Sequence, residues 1–500
     1  MAISSRLLSL VYILLMSLLA STVSANEKHL NLVFAGKMPD IGIQTYGSYT
    51  AIAGLLERLR AEDTPTVFTF AGGSLGPSPL SSLDKGSHII DILNTLEPDL
   101  MTLAKQEFSY FEDELTLRSY EAAFPIVSSN LYDPIIKSNL DGILSSLVVE
   151  KDNIKVGFIS ILDEEVVEEY LLRRVTVTDP KQVIQNQIAS LKQQDVDLVV
   201  LVYAEERDYY QTLISDHQID FALQVLSSNA INQGQVQDNK VFTISSKEPI
   251  KVLRLNWQAN SQQKNLQVEA AQLDSSQLQK TTATSVLVNE YNQRLNRLLN
   301  QKIGLVGREL TTSKSLARTQ EIAFGNFVAD ALKQLGNTDI GLINSGGIRG
   351  NKRYSKGDEI TLRDIATEIP FRGNIAILSV TGEQLKQALE NSVSMVEFEE
   401  GRFLQVSGIS FTYTTSKPKG KRIKSLLVDG NEYDPQTTYT IATSDYIANG
   451  GDGYEVFLNA KQVNQNTQEF PIISHVITRM IQQQQTISPR IESRIMRVAK

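Results

Sequence analysis

Four short apolar runs, Leu30–Ala35, Thr66–Ala71, Ile154–Leu162 and Asp197–Tyr203, are each bounded by polar residues. Runs of this length without polar alternation predict strands buried on both faces. Between them Tyr49–Arg60, Ile89–Leu96 and Lys181–Gln194 carry apolar residues at helical spacing. Alternation of this kind confines the chain to a layered α/β architecture, in which loops at the C-terminal ends of strands are the natural place for a site.

The pattern breaks at about Asp274–Thr284, a stretch rich in Gln, Ser and Thr. A helix follows, predicted from near Ser285 to near Gly304, with Val288, Tyr291, Leu295 and Leu298 as one apolar stripe. Further on, Phe324–Leu335 and Gly382–Val393 read as helices. Ile340–Asn344, Ile409–Thr414 and Thr437–Thr443 read as strands, and Pro471–Gln484 as a last helix with a solvated end at Gln482–Gln485. A chain of 500 residues is too long for one core. The expected division is a first α/β domain over 26–275, a linker helix over 276–302 and a second α/β domain over 303–500.

Residues 1–25 read as a leader. Arg6 precedes an apolar run from Leu7 to Ala20 and a small-residue exit at Val23-Ser24-Ala25. The run is shorter than the roughly 20 residues a spanning helix needs. Export to a periplasmic or secreted location is therefore expected. The formal net charge of −9 argues against nucleic-acid polymers and anionic membranes as partners. With no cysteine and only four histidines, His29, His88, His217 and His475, any transition-metal site would draw on Asp, Glu and Asn. Each histidine reads as a surface or helix residue. Asp40, Glu107, Glu205 and Glu206 could bind a hard cation but read as solvated loop carboxylates.

Three glycine loops stand out in the second half. Asn344-Ser345-Gly346-Gly347-Ile348-Arg349 follows an apolar strand, where paired glycines let backbone N–H groups approach a ligand and Arg349 could fork onto an anion. A tight turn is the plainer reading of such a pair. Tyr446-Ile447-Ala448-Asn449-Gly450-Gly451-Asp452-Gly453 offers an aromatic face and an acceptor for hydroxyls, and Ile369-Pro370-Phe371-Arg372-Gly373 holds a second aromatic. Together they suit a flat ring, a polyol and an anion. Core packing remains open for each aromatic.

The ordered segments LARTQEIAFGNFVADAL, LINSGGIRG, EIPFRGN, GRFLQVSGISFTY and DYIANGGDGY, within Ile303–Phe457, resemble the C-terminal domain of the 5'-nucleotidase family. The resemblance implies that Arg318 and Arg349 hold a phosphate and that Asn344 lies beside the nucleoside. It also implies that Phe371 and Tyr446 clamp the base and that Asp452 takes the ribose hydroxyls. For the first half it implies a metallophosphoesterase-like α/β/β/α sandwich carrying two divalent cations.

At the five places where that family holds metal, this chain departs. Lys37 and Pro39 stand for an Asp-x-His pair, and Ala71-Gly72-Gly73 lacks the bridging aspartate. Lys105 and Gln106 replace an Asn-His pair ahead of Glu107 and Phe108. Tyr203 stands where a histidine belongs, and Val225-Leu226-Ser227-Ser228 replaces Gly-His-x-His. Lysines at such positions repel a dication. They would instead neutralise an acidic pocket or receive a phosphate. No cofactor is expected, and the leading expectation is a nucleotide- or nucleoside-binding protein without two-metal hydrolysis. A working phosphoesterase with an atypical metal set and a structural protein with a vestigial pocket are the competing readings.

Overall fold

The computed structural model describes residues 27–42, 48–226, 240–258, 265–271, 282–371, 373–463 and 472–498. The leader over 1–25, most of the polar break, Ser227-Ser228, Arg372 and Pro471 lie outside the described residues.

In the N-terminal half, β1 (Glu27–Ala35), α1 (Tyr49–Arg60), β2 (Thr66–Phe70), α2 (Ser87–Leu96), β3 (Leu100–Thr102) and α3 (Phe111–Glu121) lead to β4 (Ile126–Val127) and β5 (Ile143–Leu144). Then come β6 (Leu147–Lys151), β7 (Ile154–Ser160), α4 (Val166–Glu169), α5 (Pro180–Lys192), β8 (Leu198–Tyr203), α6 (Asp208–Ser215) and β9 (Phe221–Val225). β10 (Val241–Ile244), β11 (Ile250–Gln258) and β12 (Gln267–Ala271) complete it. One sheet has the order β12-β11-β1-β2-β3-β4-β5 and the other β10-β9-β8-β7-β6.

The uninterrupted apolar runs are explained by this stacking. Leu30, Leu32 and Phe34 of β1 point between the sheets, against Phe158, Val200 and Phe221. Val33 and Ala35, one residue out of phase, point the other way onto Ile52, Leu55 and Leu93 of the covering helices. The second sheet is covered likewise by Ile184, Ile188 and Leu213. The result is the α/β/β/α sandwich expected. β11 pairs antiparallel with β1, Leu32 opposite Leu253, and places a return strand where only helix-strand alternation was legible.

The connecting helix α7 (Ala283–Leu299) stops short of the expected end near Gly304. Val288, Leu295 and Leu299 are its buried apolar residues, while Leu298, placed in the stripe from the sequence, is 49% exposed. Lys302–Val306 forms β13 instead. There it pairs with Glu359–Thr361, and Gly304 lies so close to Ile481 that a Cβ would collide with that side chain. Tertiary pairing overrides the helical pattern.

The C-terminal half follows with α8 (Ala323–Gly336), β14 (Ile340–Asn344), α9 (Leu362–Glu368), β15 (Ile375–Thr381), α10 (Gly382–Val393), β16 (Leu404–Ser407) and β17 (Ile409–Tyr413). After these come β18 (Ile423–Val428), β19 (Thr438–Ser444), β20 (Lys461–Gln462), α11 (Ile473–Gln484) and β21 (Ile495–Arg497). The central sheet has the order β16-β14-β19-β15-β20. One core joins α8, α9 and α11 to this sheet, through Val328, Ile365 and Ile477 against Ile343 and Ala442. The other joins α10 and the β17-containing sheet, through Leu385, Leu389 and Phe411 against Leu342 and Ile441. Among the described residues no helix is long and apolar enough to cross a membrane.

Candidate functional site

Strand register decides which loops meet. β14 and β19 run parallel, Ile340 opposite Ile441, so the loops leaving their C-terminal ends emerge side by side. β16 runs antiparallel to β14 with Leu404 opposite Asn344, and β15 antiparallel to β19 with Ile375 opposite Ser444. The segments entering β16 and β15 therefore reach the same edge. Residues 345–350, 371, 373–374, 399–403 and 445–453 converge there, and described residues of the three loops singled out in the sequence are among them.

Asp452 is the hub. It adopts a left-handed backbone, φ 55° and ψ 24°, a conformation Asp tolerates better than most side chains. Its Oδ2 accepts from Asn344 Nδ2 at 2.7 Å and its Oδ1 from the Tyr446 hydroxyl at 3.1 Å. Its N–H donates to the Tyr446 oxygen at 3.2 Å, and its carbonyl accepts from Asn391 Nδ2 at 3.1 Å. Burial and the neighbouring Asp452 carboxylate hold the Tyr446 phenol above its ordinary pKa. Tyr446 also reaches the N-terminal half, its hydroxyl lying 3.4 Å from the Glu169 carbonyl oxygen.

The cationic side of the edge is built from Lys314, Arg318 and Arg349. Arg318 Nη1 donates to the Glu399 carbonyl at 2.9 Å, and the Arg349 guanidinium lies 5.2 Å from the centre of the Phe371 ring. Burial, and then the mutual repulsion of these cations, holds Lys314 and Arg318 below their ordinary values. An anion placed among them would relieve that repulsion and gain charge-assisted hydrogen bonds. All six residues expected at a site, Arg318, Asn344, Arg349, Phe371, Tyr446 and Asp452, thus lie on or beside one sheet edge. Asn391 was missed, since nothing in its local sequence distinguishes it from an ordinary helix residue.

In the N-terminal half the residues at the departures that are described are engaged by other protein groups. Lys37, at φ 57°, donates its N–H to the Gly72 carbonyl at 2.8 Å and its ammonium to the Leu226 carbonyl at 2.7 Å. It thereby ties the ends of β1, β2 and β9 together. Burial, reinforced by Lys105, lowers its pKa.

Glu107, expected to be solvated, is 2% exposed. Its Oε2 accepts from the N–H of Gly73 at 2.8 Å and of Ala104 at 2.9 Å. Its Oε1 accepts from Ser74 at 2.9 Å and Leu75 at 3.2 Å. Burial outweighs these donors and raises its pKa. Four immobile N–H groups need a single acceptor close by, so the carboxylate is drawn inward instead of facing water.

Lys105 pairs with Glu169 at 2.7 Å. Tyr203 bonds Glu206 through its hydroxyl and packs on Tyr210, ring centres 4.7 Å apart. His88 is fully buried in α2 with Nδ1 2.9 Å from both Asp84 oxygens, while His29, His217 and His475 are exposed. Burial, and then the nearby Glu205 carboxylate, push Asp163 up to about 6.

These residues do not fit a two-cation centre. The acceptor that remains, Glu107, is engaged by backbone N–H groups on both oxygens, and the two lysines add positive charge where a dication would need negative. Among the described residues no group of three or more His, Asp or Glu is placed to hold a metal.

Comparison with known proteins gives a consistent picture. Residues 302–459 match the family model described as 5'-nucleotidase, C-terminal domain. The trifunctional nucleotide phosphoesterase of Bacillus subtilis (strain 168) is 31% identical over 221 residues, covering 42% of this chain and 15% of that protein. A snake venom 5'-nucleotidase of Crotalus adamanteus is 25% identical over 507 residues, covering 91% of this chain and 84% of that one. The crystal structure of a 5'-nucleotidase precursor from Thermus thermophilus superposes with a TM-score of 0.71 at 21% identity, over 94% of this chain and all of that chain.

Proposed function

We propose that this chain, whose residues 302–459 carry the C-terminal domain of the 5'-nucleotidase family, binds a nucleotide or nucleoside at the C-terminal sheet edge without hydrolysing it by the two-metal route. The observation that carries the reading is the register-driven meeting of Asn344, Tyr446 and Asp452 with the Arg318–Arg349 cation pair and Phe371. In this reading Asp452 accepts the two ribose hydroxyls, a pairing that a plain alcohol cannot match. Phe371 and Tyr446 stack on the base, and the guanidinium groups meet the phosphate. The engagement of Lys37 and Glu107 by backbone groups supports the absence of two-metal chemistry. Export to the periplasm or medium completes the proposal, with sequestering, sensing or presenting the ligand as the use of binding.

Calorimetry with AMP, adenosine and UDP-glucose tests the pocket. AMP is expected to bind, and Phe371→Ala to weaken it by about fivefold or more, since stacking contributes about 1–3 kcal/mol per base. Heats indistinguishable from dilution for all three ligands would leave the pocket vestigial.

A further inference from the structure

Arg349 stands at the exposed end of its loop, and its guanidinium meets the Phe371 ring. What sets its height above the sheet edge is the backbone beneath it, and that backbone is held by a residue with no place in the pocket itself. Glu368, the last residue of α9, is 1% exposed. Its carbonyl accepts the Arg349 N–H at 2.8 Å, and its Oε2 accepts the Gly350 N–H at 3.1 Å. Its Oε1 accepts the hydroxyls of Thr312 at 2.9 Å and Tyr354 at 2.7 Å. The carboxylate occupies the space a side chain at 350 would need, since a Cβ there would overlap it. Position 350 is therefore glycine because the acid presses against it.

We infer that Glu368 positions Arg349, and that the affinity of the pocket for the anionic end of its ligand depends on Glu368 remaining an unprotonated acceptor. The inference rests on the nucleotide-binding reading above.

The surroundings make protonation accessible. On its own helix Asp364 adds negative charge, itself paired with Lys352 at 2.6 Å, while Arg363 turns away to Asn296 and Asn300. From residues 352–354 come the Tyr354 hydroxyl and Lys352, whose ammonium lies 4.4 Å from the centre of the Tyr354 ring. From the loop side the charged groups are Arg349 and Lys314, the latter's N–H bonded to Asn351 at 3.0 Å. Burial outweighs the three donors and, with Asp364, pushes the Glu368 carboxyl up to about 6. Once protonated, the acid carries an O–H into a ring of donors. The two hydroxyls on the Oε1 side can rotate to accept it, which leaves Oε2 as a neutral carbonyl that holds the Gly350 N–H more weakly than the carboxylate does, so the contact that fixes the arginine loop is weakened.

The test compares AMP with adenosine, which lacks the phosphate, by calorimetry on the full chain from about pH 8 to about pH 5, spanning the titration of both Glu368 and the AMP phosphate. The phosphate titrates alike with every variant, so differences between variants isolate Glu368. Wild type is expected to lose AMP affinity about tenfold more steeply than Glu368→Gln, which should already be weakened at pH 8 because a neutral amide oxygen replaces the carboxylate at the Gly350 N–H. Tyr354→Phe removes a donor from the carboxylate and should move the midpoint to higher pH. Adenosine affinity should follow one profile in all three. Parallel AMP profiles for wild type and Glu368→Gln would overturn the inference while leaving nucleotide binding intact. If wild type binds neither ligand, the binding reading fails. The inference is then decided by the Arg349 side-chain NMR resonance, which should move across this pH range in wild type but not in Glu368→Gln. A resonance that moves equally in both would overturn it.

Discussion

Asp452→Ala is expected to abolish AMP binding, with a loss above about 100-fold in calorimetry. The carboxylate is the only group in the pocket that accepts from both Asn344 and Tyr446 among the described residues. Its removal strands two donors and takes away the acceptor for the ribose, and each hydrogen bond to a charged group contributes about 1.5–3 kcal/mol. Alanine also sits poorly at φ 55°, so the variant alone does not separate chemistry from backbone strain. Asp452→Asn does. Asparagine tolerates the left-handed region and keeps the shape, but presents an amide N–H₂ where an acceptor is needed. It should bind AMP nearly as weakly as the alanine variant while unfolding in urea at the wild-type midpoint. Wild-type affinity in Asp452→Asn would remove the ribose role assigned to this residue.

The second large effect lies in the other half. Glu107→Ala is expected to lower the unfolding free energy by about 4 kcal/mol, because four buried N–H groups lose their acceptor at once. Those groups come from residues 73–75 and 104, so the loss should loosen the turns after β2 and β3 together. Glu107→Gln keeps one oxygen and should cost about half as much. Urea unfolding followed by circular dichroism reads both. A change under about 0.5 kcal/mol for the alanine variant, the range of ordinary surface substitutions, would show that the carboxylate does not organise these turns.

Much of the fold was legible because burial on both faces leaves a local mark. The run Leu30–Ala35 has no polar interruption beyond Asn31 because Leu32 faces one core and Val33 the other. Helix limits at Tyr49, Arg60, Gly382 and Val393 were readable from spacing alone. The end of the connecting helix was not, since Lys302–Val306 is drawn into a strand by partners some 55 residues on, at Glu359–Thr361. The loops of the site were visible individually as glycine clusters. Their meeting depends on strand order, with Ile340 beside Ile441, which no local pattern carries. Glu107 and Glu368 illustrate the remaining limit. Both look like ordinary charged residues in the sequence, and both are buried because backbone N–H groups, more than 30 residues away for Gly73 and 18 away for Gly350, require an acceptor.

The proposed separation of binding from hydrolysis meets its most direct test in one assay. AMP is incubated with the full chain and Mn²⁺, Zn²⁺ or Co²⁺, with and without chelator, and inorganic phosphate is measured beside the heat of AMP binding. With the ammonium groups of Lys37 and Lys105 where they would repel a dication, phosphate release should stay at the chelator-treated level while AMP still binds. Metal-dependent phosphate release that chelator abolishes would contradict the account.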